Sequence, residues 1–170
     1  MQVLFTVLFL FCILIFVIFY YNVDSRKHKR NIDSSYQVLR KIRSFAGPGI
    51  EPRILLYLRK INAYVFEEVL LTVFEEKGFR IKRNHRYSGD GGIDGTVIKE
   101  GKRYLIQAKR YKGHINSKHL AEFKSKVISF NADGGYFIHT GRTSREQLNI
   151  NRYSNLQILS GEKLVNFILK

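Results

Sequence analysis

The 170-residue chain carries 29 Lys and Arg residues against 14 Asp and Glu residues, which gives a formal net charge of +15. An excess of this size indicates a polyanionic partner, either nucleic acid or anionic lipid headgroups. The single cysteine, Cys12, excludes intrachain disulfides and a cysteine-based zinc site. The length suits one α/β domain with an N-terminal extension.

An uncharged apolar segment covers Val3 to Tyr21. As a helix it would be roughly 28 Å long, close to the ~30 Å hydrocarbon core of a bilayer. No Lys or Arg precedes it and no small-residue cleavage site follows, which argues against a signal peptide. The basic run Arg26–Arg30 comes next, and positive flanks stay in the cytoplasm. We therefore predict one transmembrane helix at residues 1–21 that contacts lipid through residues 3–21, crosses a bacterial inner membrane once and leaves the C-terminal domain in the cytoplasm.

Residues 22–61 predict a basic linker with short amphipathic helices. Asn22–Ser35 is polar and shows no periodicity, which is typical of a linker. Tyr36–Phe45 has helical spacing of apolar residues, Ala46–Gly49 interrupts it, and Ile54–Ile61 is a second short basic helix. Two interpretations stay open: an arm packed on the domain, or an element that contacts the membrane surface or DNA.

Residues 62–170 predict an α/β domain, with a mixed central sheet flanked by helices. In the first helix, Asn62–Lys77, we expect Glu67 at the border of the apolar stripe to face inward and Glu68 to be a surface charge. The later predicted elements are strands at Phe79–Lys82, Gly92–Ile98 and Arg103–Lys109, a helix at Ser117–Phe130, a strand at Gly135–His139, a helical turn at Ser144–Asn149, a strand at Leu156–Leu159 and a helix at Glu162–Leu169.

The strongest chemical signal is a pair of motifs, Ser88–Gly95 and Tyr104–Arg110. Asp94 stands at the end of the glycine-rich turn, and strand alternation puts Gln107 and Lys109 on one face. If Asp94 points to that face, a carboxylate, an amide oxygen and an ammonium converge. Such a set can hold a divalent cation and a water beside a phosphodiester. No Gly-Lys-Ser/Thr follows the glycines, so we expect no nucleotide cofactor.

Taken together, these motifs resemble the Mrr-like restriction endonuclease family, a branch of the PD-(D/E)xK nuclease superfamily. The residues that carry the resemblance are Phe66-Glu67, Gly89–Gly95, Gln107-Ala108-Lys109, Thr140–Ser144 and Gly161–Val165. The resemblance covers roughly Ala63 to Leu169. It implies a restriction-endonuclease-like fold, preceded by the predicted transmembrane helix.

The resemblance also implies a metal-dependent site for phosphodiester hydrolysis. Asp94 would be the primary metal ligand, and Glu67 would bind the same ion directly or through water. Gln107 would offer a neutral oxygen where most of the superfamily has an acid, and Lys109 would orient or deprotonate the attacking water. An oxygen ligand set favours Mg²⁺ or Mn²⁺ over zinc. Asp90 either caps the turn or supports the metal ligands from behind.

Each of these residues also has a simpler structural interpretation. In this interpretation Asp94 only forms the turn, Glu67 is stabilised by the helix dipole without binding a metal, and Lys109 belongs to a generally basic surface. His139, on an apolar strand, fits a core histidine better than a catalytic base. The residues expected to contact the DNA backbone are Arg103, Arg110, Lys112, Lys118, Arg142 and Ser144. For Ser144, a cap on the following helix is the simpler interpretation.

The predicted function is a membrane-anchored, metal-dependent DNA endonuclease that acts in restriction or defence against foreign or modified DNA. The alternative is a nuclease-fold module that binds DNA without cutting it and tethers it to the membrane. DNA and membrane lipid are the expected partners, and a homodimer stays open.

Overall fold

The computed structural model describes the backbone of residues 2–84, 92–145, 147 and 155–170. It describes the side chains of the same residues except residues 2–4, 8 and 16–25. The elements in chain order are α1 (Gln2–Arg43), α2 (Ile50–Lys60), α3 (Ala63–Glu76), β1 (Arg80–Arg83), β2 (Gly95–Lys99), β3 (Lys102–Lys109), α4 (Ser117–Ser129), β4 (Gly134–His139), β5 (Leu156–Leu159) and α5 (Gly161–Leu169). The predicted strands and helices of the α/β domain are therefore present, with bounds that differ by at most three residues. Of the predicted turn at Ser144–Asn149, residues 146, 148 and 149 lie outside the described residues.

The described strands form one mixed sheet in the order β1-β2-β3-β4-β5. The first three strands are antiparallel, whereas β3, β4 and β5 run parallel. A parallel pair cannot be joined by a tight turn, so α4 crosses over between β3 and β4. The prediction of a mixed sheet flanked by helices is confirmed.

Two apolar cores lie on the two faces of this sheet. On one face, Ile106 and Ala108 of β3 pack with α1, α2, α3 and α5. On the other, Leu105 and Phe137 pack with Phe123 of α4. The alternation along β3 therefore sends successive side chains into different cores, because successive residues of a strand point to opposite faces.

The helix α1 continues without a break from Gln2 to Arg43, so the predicted linker at 22–35 was wrong. The C-terminal part of α1 packs on α3, where the Ser35 hydroxyl lies 3.2 Å from the Thr72 hydroxyl. Three residues further on, Val38 begins the apolar contacts with the core. The packed side of this segment begins with polar groups, which is why hydropathy did not show it. For the end of α1 and for α2, the packed arm is the interpretation that the structure supports.

The predicted transmembrane segment, residues 1–21, lies within the first half of α1. Among the residues whose side chains are described, no helix holds an apolar stretch long enough to span a bilayer.

Glu68 is buried, with 1% of its side chain exposed, so the prediction that it is a surface charge was wrong. Its carboxylate accepts a hydrogen bond from Arg83 Nε at 2.9 Å and lies 3.7 Å from His28 Nδ1 on α1. The helix α3 is covered by the sheet on one side and by α1 on the other. The apolar stripe predicted only the first of these contacts.

We expect Glu68→Ala to lower the free energy of unfolding by about 3–5 kcal/mol, because it leaves the Arg83 guanidinium without its buried partner. Glu75, which binds the same arginine at 3.3 Å, is the matched control because its side chain is 51% exposed. Its replacement by Ala should cost less than about 1 kcal/mol. Denaturant unfolding of both variants checks this, and equal losses would contradict the assignment of Glu68 as the buried partner.

Candidate active site

Asp94 is held in place by its backbone and by its side chain. The Asp94 N–H donates to the Ile106 carbonyl at 2.8 Å, and Ile106 is also the partner of Gly95, the first residue of β2. Asp94 thus immediately precedes β2 and is bonded to the same residue of β3 as the first residue of that strand. The Asp94 carboxylate then accepts the Ala108 N–H at 2.6 Å. It therefore lies against β3 between Gln107 and Lys109.

Helix α3 approaches this point closely because Gly95 has no side chain. A Cβ at Gly95 would lie 2.8 Å from a methyl carbon of Leu71. Glu67 is one helical turn before Leu71 and shares its face, so α3 carries this half-buried carboxylate towards the start of β2. The helix period and the Gly95 contact together therefore put Glu67 on the side of α3 that faces β2.

Gln107 is almost fully buried, with 5% of its surface exposed. Its Nε2 donates to the Gly92 carbonyl at 2.6 Å, which ties β3 to the turn before Asp94. Its Oε1 is buried and accepts no hydrogen bond from any described residue. A buried acceptor without a partner costs about 1–3 kcal/mol, so we expect the Gln107 Oε1 to take a water or a cation as its partner.

A hard divalent cation fits the oxygens at this position. Asp94 and Glu67 offer carboxylates, and the unsatisfied Gln107 Oε1 offers a neutral oxygen, which is the ligand type that Mg²⁺ and Mn²⁺ prefer. Within the described ranges, no three His, Cys, Asp or Glu side chains come together as a metal cluster. The other candidate acid, Asp90, lies outside the described residues.

Lys109 is the last residue of β3 and lies opposite His139 of β4. Since β3 is regular as far as Lys109, its side chain shares a face with Gln107, as predicted. His139 is fully buried. Its Nδ1 accepts the Gly141 N–H at 3.2 Å and its Nε2 lies 3.0 Å from the Thr143 hydroxyl. Burial lowers the pKa of His139 to about 4, so the ring is neutral, and the prediction of a core histidine is confirmed.

Arg103 lies at the opposite end of β3 from Lys109 and binds backbone groups. Its guanidinium donates to the carbonyls of Phe130 and Asn131 where α4 ends, and its N–H donates to Asp133 Oδ2 at 2.8 Å. The structure therefore gives Arg103 a helix-capping role and does not bring it to the site.

Arg110 and Ser144 lie near the end of the sheet where β3 ends at Lys109, but both also have structural partners. The Arg110 guanidinium donates to the carbonyls of Ile61 and Arg59, which lie at the C-terminal end of α2. The Ser144 hydroxyl accepts the Gln147 N–H at 3.2 Å while Gln147 Oε1 accepts the Ser144 N–H at 2.9 Å. This reciprocal pair is a capping box, so capping, the simpler interpretation of Ser144, is observed.

The remaining predicted DNA contacts, Lys112, Lys118 and Arg142, are exposed. The Arg142 N–H donates to the Gly113 carbonyl at 2.8 Å, which joins the loop after β3 to the loop after β4. All three cations therefore belong to segments that follow the strand end where Lys109 lies.

Sequence reasoning missed Lys126 of α4. Its Nζ lies 3.2 Å from the point that a Cβ at Gly92 would occupy, and Gln107 Nε2 lies 3.3 Å from the same point. In the sequence Lys126 is one of several polar residues on an amphipathic helix, and no motif distinguishes it.

Comparison with known proteins agrees with this geometry. The family model Mrr_cat, described as restriction endonuclease, matches residues 58–168. The chain belongs to this restriction endonuclease family. A search among curated proteins gave no match.

Two solved structures are similar to this chain. The restriction endonuclease MspJI, in complex with a 27-mer oligonucleotide, is 23% identical with a TM-score of 0.55, over 74% of this chain and 32% of MspJI. The DNA modification-dependent restriction endonuclease AspBHI is 17% identical with a TM-score of 0.56, over 75% of this chain and 36% of AspBHI. At these identities the likeness shows the fold, and the chain spans about a third of the length of either enzyme.

The depressed pKa of His139 predicts that this Mrr_cat domain loses stability in mild acid. The unfolded chain binds a proton near the ordinary pKa of 6.5 and the folded chain only near 4, so stability is full above the first value and falls towards the second. Between about pH 7 and about pH 5 we expect a loss of about 2 kcal/mol from this group. Unfolding of the wild type and of His139→Gln at both pH values measures it; an equal pH dependence in the two proteins would contradict it.

Proposed function

We propose that the chain is a metal-dependent DNA endonuclease that hydrolyses phosphodiester bonds and is anchored in a membrane. The observation that carries the catalytic part is the Asp94 carboxylate bonded to the Ala108 N–H, between Lys109 and the unsatisfied oxygen of Gln107. Membership of a restriction endonuclease family supports the same reaction.

Asp94, Glu67 and Gln107 would hold Mg²⁺ or Mn²⁺. When bound, the ion makes an attacking water more acidic and neutralises charge on the phosphate. The Lys109 ammonium, on the same face as Gln107, orients that water and stabilises the charge that develops on the nonbridging oxygens. Because Gln107 is neutral, the site carries one negative charge fewer than it would with an acid there, so a second ion binds less tightly.

The alternative, a module that binds DNA without cutting it, accounts less well for these residues. The carboxylates of Asp94 and Glu67 repel a polyanion, so a protein that only binds DNA gains nothing from holding them near β3. The buried Gln107 Oε1, which has no hydrogen-bond partner among the described residues, is a further oxygen that a cation would use.

The exposed cations Lys112, Lys118 and Arg142 would bind the DNA backbone. They follow β3 and β4 at the end of the sheet where Lys109 lies, so phosphate contacts there would place the duplex across the site. AspBHI acts on modified DNA, as its description states, and this supports foreign or modified DNA as the substrate.

The apolar half of α1 supports the membrane part of the proposal. Large apolar side chains between Phe5 and Ile15 are exposed, with values from 44% at Ile13 to 71% at Phe5. Water does not favour an exposed apolar helix surface, whereas lipid does. The basic run Arg26–Arg30 would then lie at the headgroups on the cytoplasmic side of a bacterial inner membrane.

The proposed catalytic site predicts that substitutions in it reduce DNA cleavage while DNA binding is retained. Asp94→Ala and Lys109→Ala should each reduce cleavage of duplex DNA by about 10²–10⁴-fold, because they remove a metal ligand and the proton-handling group. Duplex binding in Ca²⁺ should persist. Lys163→Ala, an exposed lysine of α5, is the control and should cleave normally. Full activity of either site variant would end the assignment.

The membrane part predicts that the full chain stays with membranes in carbonate and in high salt, because hydrophobic insertion is not screened by ions. Removal of residues 1–21 should release a folded protein, since the core contacts of α1 begin later, at Val38. A control that neutralises the charges of Arg26–Arg30 should remain membrane-bound in salt. Extraction of the full chain by salt alone would contradict the anchor.

A further inference from the structure

Lys126 reaches the candidate site from the face of the sheet opposite α3. It belongs to α4, whose buried side chains Leu120, Phe123 and Val127 pack on the sheet, and Lys126 itself is half-buried at the edge of that contact. Helical side chains lean towards the N-terminus of their helix, and α4 starts near the end of β3. The ammonium is thereby carried towards the site end of the strand.

Two nitrogen donors converge in front of Gly92. The Lys126 Nζ and the Gln107 Nε2 lie 3.2 Å and 3.3 Å from the position of a Cβ at Gly92. Gly92 has a φ of +79°, a conformation that L side chains rarely adopt, and a side chain there would crowd both nitrogens. The turn before Asp94 therefore keeps a cation and an amide within reach of the same space.

The charge at residue 107 makes this ammonium useful to a phosphate. Gln107, the residue beside the Lys126 ammonium, is neutral, whereas a glutamate there would place a negative charge next to it. Lys109 on β3 shares the face of Gln107, and Lys126 on α4 lies beside the Gln107 amide, so two cations accompany this residue. A phosphodiester brings a negative charge that only such cations or a metal can offset.

We propose that Lys126 is a further catalytic-centre residue, whose ammonium binds a nonbridging oxygen of the scissile phosphate beside Gln107. The proposal rests on the endonuclease function proposed above. In a site with an acid in place of Gln107, a second metal ion would supply a further positive charge. The proposal assigns that charge to the Lys126 ammonium of α4.

Lys126→Gln should lower the single-turnover cleavage rate by about 10²-fold, the loss seen when one charge-stabilising donor is removed. The Mg²⁺ dependence and the thermal unfolding midpoint should stay close to those of the wild type, because Lys126 is not a metal ligand. Lys124→Gln is the matched control, since Lys124 is on the same helix and exposed. Lys126→Arg should restore part of the rate.

A second measurement does not depend on cleavage. The full chain with Asp94→Asn is mixed with a short duplex DNA in Ca²⁺, and acetylation of its lysines is followed by mass spectrometry. We expect DNA to protect Lys126 and to leave Lys124 reactive. Protection in a protein whose wild type does not cleave DNA would support the phosphate contact while the endonuclease function fails.

Two results would overturn the role of Lys126. One is equal acetylation of Lys126 with and without DNA. The other is a Lys126→Gln variant whose cleavage loss is accompanied by a lower unfolding midpoint or a higher Mg²⁺ requirement, since that pattern means that Lys126 only positions the turn at Gly92.

Discussion

The Ala108 amide donates its hydrogen bond to the Asp94 carboxylate at 2.6 Å, and this bond fixes the acid against β3. The Asp94 N–H in turn donates to the Ile106 carbonyl, so both the backbone and the side chain of Asp94 are bonded to β3. The position of every other candidate group is defined relative to this point.

Close packing on both faces of the sheet brings the other groups there. On one face the missing side chain of Gly95 lets Leu71 of α3 approach, and the helix period then carries Glu67 towards the acid. On the other face α4 brings Lys126 to Gly92. The site therefore draws on three layers, and the packing of both helices maintains it.

Polar contacts also hold the elements around the site, where apolar patterns give no signal. The buried Glu68 joins α3 to β1 through Arg83, and the hydroxyls of Ser35 and Thr72 join α3 to α1. Buried polar groups are stable only when they are paired, so these contacts constrain the helix arrangement more strictly than apolar packing alone.

The sequence by itself determined the order of strands and helices in the domain, the mixed sheet, and the pairing of Gln107 with Lys109 on one face, because these follow from local periodicity. A motif also predicted Asp94 as a site residue. Only the tertiary structure decided that residues 22–35 are helical, that Glu68 is buried, that Arg103 caps α4, and that Lys126 approaches Gln107. Each of these depends on a partner distant in sequence, and periodicity records which side of an element is apolar but not what covers its polar side.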